Sequence, residues 1–354
     1  MNTFATEGRC LSDLIRLAKP LCIAAEMQSA RQGPGRPLLF ANWLLALLIM
    51  IAVLKKKKSK SAQYRFIDSH RKQLTRAIGV NALPSRTTYF ERYKQAHRLF
   101  EIAIRLQGQA ALKEKIIDAA VVSVDKSMIA AQGPRWHQCH RKKNVLPEGF
   151  RGIDRESGWG VSGHDGWVQG YSYEIAVTAT KNSLVFPLLA SAHTAAARET
   201  LCFKDKAEYL PDQTRDVLTD SAYDSNDCAE AVELDEQGHR SGRHFLCPPN
   251  PRNPSKGEPR DKRRRIHRHR RQRRLRHFRT KKAQRLYKRR CQSVEPANEW
   301  FKELFELTEH VWHRGLANNQ TQLLAAIFSY QVLIRLNHRK GNKNGQVKWI
   351  MDYL

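Results

Sequence analysis

Three acidic residues stand at or near the ends of apolar segments, where oxygen ligands could hold divalent cations. Asp125 closes the run VVSVD, Asp220 closes DVLTD, and Glu295 lies near the start of an amphipathic helix. In α/β sheets, functional side chains gather at the carboxyl ends of strands, where loops leave them accessible. Carboxylates suit Mg2+ or Mn2+, and two such ions about 3.5–4 Å apart can clamp both sides of an in-line phosphoryl displacement. Taken singly, each acid has an ordinary duty. Asp125 can begin a turn, Asp220 can cap a helix and Glu295 can complement a helix dipole. Taken together, in a chain of formal net charge +28, the three favour metal binding.

Asp220 sits in DVLTDSAYDSND, which also holds Asp216, Asp224 and Asp227. Asp224 is expected to cap the helix that follows, the common duty of Asp at such a turn, and Asp216 and Asp227 to be surface charges. A second grouping of ligand-type residues, WHQCH, contains His137, Cys139 and His140. A structural zinc site needs four ligands, and no second ligand pair is evident in the sequence. The seven cysteines are odd in number, scattered and without a CxxC pair, which excludes a disulfide framework or zinc ribbon and fits a reducing cytosol.

The charge narrows the partners. With 62 Lys and Arg against 34 Asp and Glu, the field attracts polyanions, nucleic acid first and an anionic membrane surface second. The chain opens without a cleavable signal, because its first twenty residues carry mixed charge and no continuous apolar run. The apolar stretch Leu38 to Leu54, followed by KKKKSK, could mimic a membrane anchor. Asn42 interrupts it, and a spanning helix wants about 20 residues, so it reads as a buried core helix.

The elements that must position the acids follow an α/β order. Residues 1–115 read as helical, and a helix ending at Gly79, the turn VNALP and a helix capped by Ser85 form a helix-turn-helix signal. On that reading Arg86, Arg92 and Lys94 face DNA, while Lys55 to Lys58 and Lys60 contact phosphates; the other reading is a helical hairpin with a solvated basic face. From residue 116, strands are expected in VVSVDKSMIAAQ, SYEIAVTAT, LVFPLLASAHT, RDVLTDSAY and HFLCPPN, with a helix over SNDCAEAVELDEQG. The segment 251–290 carries 20 Lys and Arg against Glu258 and Asp261. Such a run is expected to stay unordered, or to form a fraying helix, until phosphates neutralise it. Two amphipathic helices close the chain, and residues 339–354 form a tail too short to be a domain.

Motif by motif, the chain resembles the DDE transposases of bacterial insertion sequences. VVSVDKS resembles the first catalytic strand and LTDSAYDS the second, and YKRRCQSVEPANEWFK resembles the Tyr, Arg, Glu, Lys signature through Tyr287, Arg290, Glu295 and Lys302. Four residues separate Arg290 from Glu295 where the family pattern has three, which leaves Arg289 as the alternative. In HTAAARET, many members carry an Asn and an Asp, and Glu199 is the acid at hand.

The resemblance implies an RNase H-like mixed-sheet catalytic domain over 116–338, carrying the basic insertion 251–290, behind a helical DNA-binding domain over 1–115. It implies Asp125, Asp220 and Glu295 as catalytic metal ligands for two Mg2+ or Mn2+ ions, with Tyr287, Arg290 and Lys302 at the DNA. It further implies cleavage and strand transfer at terminal inverted repeats, a homodimer on double-stranded DNA, and a place with the nucleoid in a bacterial cytoplasm. The rival is a non-catalytic basic DNA-binding protein derived from a transposase.

Overall fold

The computed structural model describes residues 3–29, 38–143, 151–163, 166–235, 237–251 and 262–354. Six helices come first: α1 (Thr3–Gln28), α2 (Asn42–Leu54), α3 (Lys60–Ser69), α4 (Arg71–Ile78), α5 (Arg86–Tyr93) and α6 (His97–Lys113). Every side chain of α2 from Leu44 to Leu54 is buried, so the apolar run is a core helix. A helix that is apolar all round has no face to offer water. Among the described residues, no helix is long and apolar enough to cross a membrane. Glu26 completes the start of α2, its carboxylate accepting the backbone N–H of Asn42 at 2.7 Å and of Trp43 at 3.2 Å. Two otherwise orphaned helix donors are thereby satisfied, and a negative charge sits at the positive end of the helix dipole.

The strands follow as β1 (Val121–Ala130), then α7 (Gln138–Lys142), β2 (Gly158–Ser162), β3 (Gly166–Thr178), β4 (Pro187–Thr194), α8 (Glu199–Lys204), β5 (Asp216–Leu218), α9 (Asn226–Glu233) and β6 (His244–Leu246). Long β3 is antiparallel to β1 on one edge, and to β2 and β4 along successive halves of the other. β5 runs parallel to β1, and β6 parallel to β5. This is a mixed sheet behind a helical N-terminal region, the arrangement of an RNase H-like catalytic domain. The expected strands all form. The unforeseen β2, GWGVS, has too few β-formers for its pattern to be read and is held instead by its register on β3.

The chain ends with α10 (Lys262–Phe278), α11 (Lys281–Tyr287), α12 (Arg289–Leu304), α13 (Leu316–Arg339) and α14 (Lys348–Asp352). Nearly every residue of α13 from Asn319 to Asn337 is buried, because α1, α2, α6 and β4 pack around it. One apolar cluster therefore runs continuously from Cys10 to Leu354 and crosses residue 115. Buried polar groups on α13 are answered in kind. Arg335 pairs with Glu114 and Gln107, and Gln331 donates to the carbonyls of Ile104 and Pro187.

Of the two expected states of the basic segment, its described part takes the helical one, as α10, α11 and the start of α12, and residues 252–261 lie outside the described residues. The cause is neutralisation from within the chain. Arg271 pairs with Asp224, Arg270 with Glu230 at 2.7 Å, His267 with Glu230 at 3.2 Å, and Arg273 with Glu233 at 3.9 Å. Asp224 thus does not cap α9; Ser225 does, accepting from the Cys228 N–H at 3.1 Å. The Asp224 carboxylate also accepts the Asn250 N–H at 2.9 Å, and its hydrogen bond raises the Arg271 guanidinium above its usual pKa.

Truncating the buried Leu48 of α2 should show how much rests on this core. Leu48→Ala is expected to cost about 2–5 kcal/mol in urea unfolding, whereas Arg65→Ala on the exposed face of α3 should stay within about 0.5 kcal/mol.

Candidate active site

β1 alternates its side chains, so Val122 and Val124 enter the core while Asp125 is presented toward α12. Arg290, in the first turn of α12, places Nη2 at 2.7 Å from Asp125 Oδ1 and Nη1 at 3.0 Å from Glu295 Oε1. Asn298 Nδ2 donates to the other Asp125 oxygen at 3.0 Å, and Lys302 Nζ donates to the Met128 carbonyl at 3.1 Å. Positions 290, 298 and 302 share one face of the helix, so α12 lies along β1 with its polar groups matched to that strand. Arg290, not Arg289, reaches the two acids. Glu295 lies in the second turn of a helix that continues through Pro296, and its side chain is about half exposed.

Asp220 follows β5 and turns the chain, its Oδ1 accepting the Ala222 N–H at 2.9 Å. Asp220 thus has the capping contact, and its charge is also felt at Asp125 and Arg290. Tyr287 packs edge-on against Phe278 at 5.0 Å in a small apolar cluster with Val121, Leu218 and Leu246, directly under the strand end that precedes Asp220. Burial pushes its phenol up to about 12.

Electrostatics links the three segments. Burial pushes Asp125 up to about 6, opposed by Arg290 and reinforced by Asp220. Burial also raises Asp220, again against Arg290. For Arg290 itself burial opposes the charge, but Asp125, Tyr287, Asp220 and Glu295 outweigh it and hold the guanidinium above its usual pKa. The acids form a site short of positive charge, with one buried guanidinium in it. Arg290 Nε and Asn298 Oδ1 are buried without a hydrogen-bond partner among the described residues. The carboxylate oxygens and Asn298 Oδ1 are of the type that a hard divalent cation takes, although Arg290 and Asn298 hold both oxygens of Asp125. The ligand atoms are not drawn into one cluster. Among the described residues, the group of three His, Cys, Asp or Glu whose ligand atoms lie within 4.8 Å of one another is His137, Cys139 and His140.

A buried network supports the turn at Asp220. Tyr223, fully buried, donates its hydroxyl to Glu174 Oε2 at 2.8 Å and so ties the turn to β3. Burial pushes Glu174 up to about 8, against that hydrogen bond. On β1, Lys126 pairs in register with Glu174, donates to the Ala197 carbonyl at 2.6 Å and meets Glu199 at 3.2 Å. Glu174 and Asn298 were not singled out from sequence. An acid inside the buried run SYEIAV, and an Asn one turn beyond Glu295, were the available signals.

The proposed DNA contacts of the amino-terminal region divide. Arg86 is exposed and lies over the Phe90 ring at 5.1 Å, and Lys94 is exposed. Arg92 is turned inward, where it hydrogen-bonds the Phe40 carbonyl and the Asn42 side chain. Tyr89 and Tyr93 are fully buried, so α5 is seated in the main core, its Tyr93 hydroxyl 3.0 Å from His313 Nε2.

The family model described as "Transposase DDE domain" matches residues 116–332, the span from β1 to α13 that carries all three acids. The chain belongs to the transposase DDE domain family. No curated protein matches it. A solved structure described as the cryo-EM structure of a piggyBac transposase synaptic complex with hairpin DNA aligns over 97% of this chain and 78% of its own. The identity is 9% and the TM-score 0.39, too low to carry a residue-by-residue correspondence.

In this transposase domain, Glu174 offers a test of the network that does not depend on catalysis. Glu174→Gln keeps an oxygen for Tyr223 and removes the ionisable group. A carboxyl whose folded pKa lies near 8, above its ordinary value of 4.5, loses stability as pH rises between those values, because only the unfolded chain ionises there. The variant should match the parent near pH 4.5 and exceed it increasingly toward pH 8, by an amount on the order of a few kcal/mol in chemical denaturation.

Proposed function

We propose that this transposase-family chain cuts phosphodiester bonds at the ends of an insertion-sequence element and joins the freed 3′-hydroxyl to target DNA. The observation that carries this reading is the meeting of three distant segments around Arg290: Asp125 on β1, Asp220 after β5 and Glu295 on α12. Asp125, Asp220 and Glu295 would hold divalent cations, Mg2+ or Mn2+, which supply charge stabilisation to the phosphoryl oxygens.

The remaining chemistry belongs to the side chains. Arg290 holds Asp125 toward its ionised form, and its Nε is, among the described residues, the guanidinium nitrogen left for a phosphate oxygen. Asn298 fixes one oxygen of Asp125, and the Tyr223 to Glu174 link fixes the turn that presents Asp220. Lys302 ties α12 to β1 beside this site, so the spacing of Glu295 from Asp125 is set by a clamped helix. Exposed Arg276, Arg279, Lys281, Lys282, Arg285 and Lys288, on and between the ends of α10 and α11, offer positive charge to DNA phosphates without reading sequence.

Two measurements test this. On Mg2+-supplied DNA carrying the element's terminal inverted repeats, Asp125→Asn, Asp220→Asn and Glu295→Gln should each reduce cleavage more than about 100-fold while leaving DNA binding intact. Full cleavage by any one variant removes that residue from the site, and a parent chain that binds but never cuts would favour a non-catalytic DNA-binding protein. Separately, replacing Lys281, Lys282 and Arg285 together by Ala should lower the slope of log affinity against log salt by about 0.9 for each phosphate no longer neutralised. An unchanged slope would place DNA elsewhere.

A further inference from the structure

We propose that His137, Cys139 and His140 form a second metal site, for a thiophilic divalent cation of the zinc class, chemically separate from the carboxylate site. From sequence this cluster has nothing to complete it. The structure changes that by geometry: one ligand atom from each residue lies within 4.8 Å of the others, and His137 Nδ1 stands 3.0 Å from Cys139 Sγ. Zn–S and Zn–N bonds of about 2.3 and 2.0–2.1 Å place tetrahedral ligand atoms about 3.3–3.6 Å apart, so small side-chain shifts suffice. His140 Nδ1 is buried and has no hydrogen-bond partner among the described residues, a condition that buried polar nitrogens rarely keep without a ligand.

The support beneath the cluster is rigid. Trp136, immediately before it, is buried; its N–H donates to Gln169 on β3, and its carbonyl accepts the Trp159 indole N–H of β2 at 2.8 Å. The first ligand therefore leaves from a point fixed to the sheet, and Cys139 and His140 lie on the short helix α7. Three protein ligands and one water complete a tetrahedron. The thiol binds as thiolate, so each ion taken up releases one proton to solvent while the imidazoles bind through neutral nitrogens. Imidazole and thiolate select zinc-class ions, whereas Asp125, Asp220 and Glu295 offer only oxygen, which suits Mg2+. The bound ion would hold the start of α7 against the residue that precedes it, next to the fixed Trp136.

Cobalt titration of the full, chelator-stripped and reduced chain tests this, with millimolar Mg2+ present to occupy the carboxylates. One equivalent of Co2+ should give intense tetrahedral visible bands and a near-ultraviolet thiolate charge-transfer band, both bleached by one equivalent of Zn2+. Cys139→Ser should abolish the charge-transfer band, and His140→Ala should weaken Co2+ binding about tenfold or more. Cys291→Ser, at the other exposed cysteine, should change nothing. Circular dichroism checks that each variant is folded, and His140→Ala carries the test alone if Cys139→Ser is not. A weak octahedral spectrum without a thiolate band overturns the proposal. So does a band that survives Cys139→Ser or vanishes in Cys291→Ser, or undiminished Co2+ binding in a folded His140→Ala.

Discussion

The placement of Arg290 decides the rest of the site. A largely buried guanidinium that pairs with Asp125 and Glu295, with Asp220 in electrostatic reach, offsets part of the negative charge that three segments bring to a poorly solvated place. That need explains the surrounding architecture. α12 must lie along β1 so that its first turn reaches Asp125, and Asn298 and Lys302 fasten it there two and three turns later. The β5 turn must hold Asp220 against its own backbone, and Tyr223 fastens that turn to β3. A helix-borne cation thus sits where two strand ends present anions.

The same economy of charge operates at larger scale. A chain of net charge +28 places most of its surplus in one segment, and within the described part of that segment α10 lies on acids from α9 and the turn before it. The four acids of DVLTDSAYDSND consequently have different tasks. Asp220 accepts the Ala222 N–H at the turn after β5, Asp224 anchors the basic helix, Asp216 lies beside His244 at 3.2 Å, and Asp227 stands in the first turn of α9.

Much of this was legible in the sequence. The apolar run through Leu54, the strands that carry Asp125 and Asp220, and the helix that carries Glu295 each have a local signature: uniform hydrophobicity, a β-branched run, or helical periodicity. What escaped depends on partners distant in sequence. β2 is a strand only because β3 pairs with it, and Glu174 is a buried carboxyl only because Tyr223 arrives from another turn. Arg92 points inward because Phe40 and Asn42 are there to receive it, which the pattern of α5 alone does not encode. α10 is ordered for the same kind of reason, since a run of like charges reads as self-repelling until opposing acids are known to face it.

The central position of α13 bears on how the molecule comes into being. Its side chains fill the space between α1, α2 and α6 on one side and β4 on the other. During synthesis the first helices leave the ribosome some two hundred residues before the element that completes their core. In that interval the buried side chains of α2, from Leu44 to Leu54, can meet their native neighbours in α1, α3, α5 and α6 but not those in α13. Closure across so long a stretch of chain makes this part of the core one of the last to form, because distant contacts must be brought together before they stabilise anything.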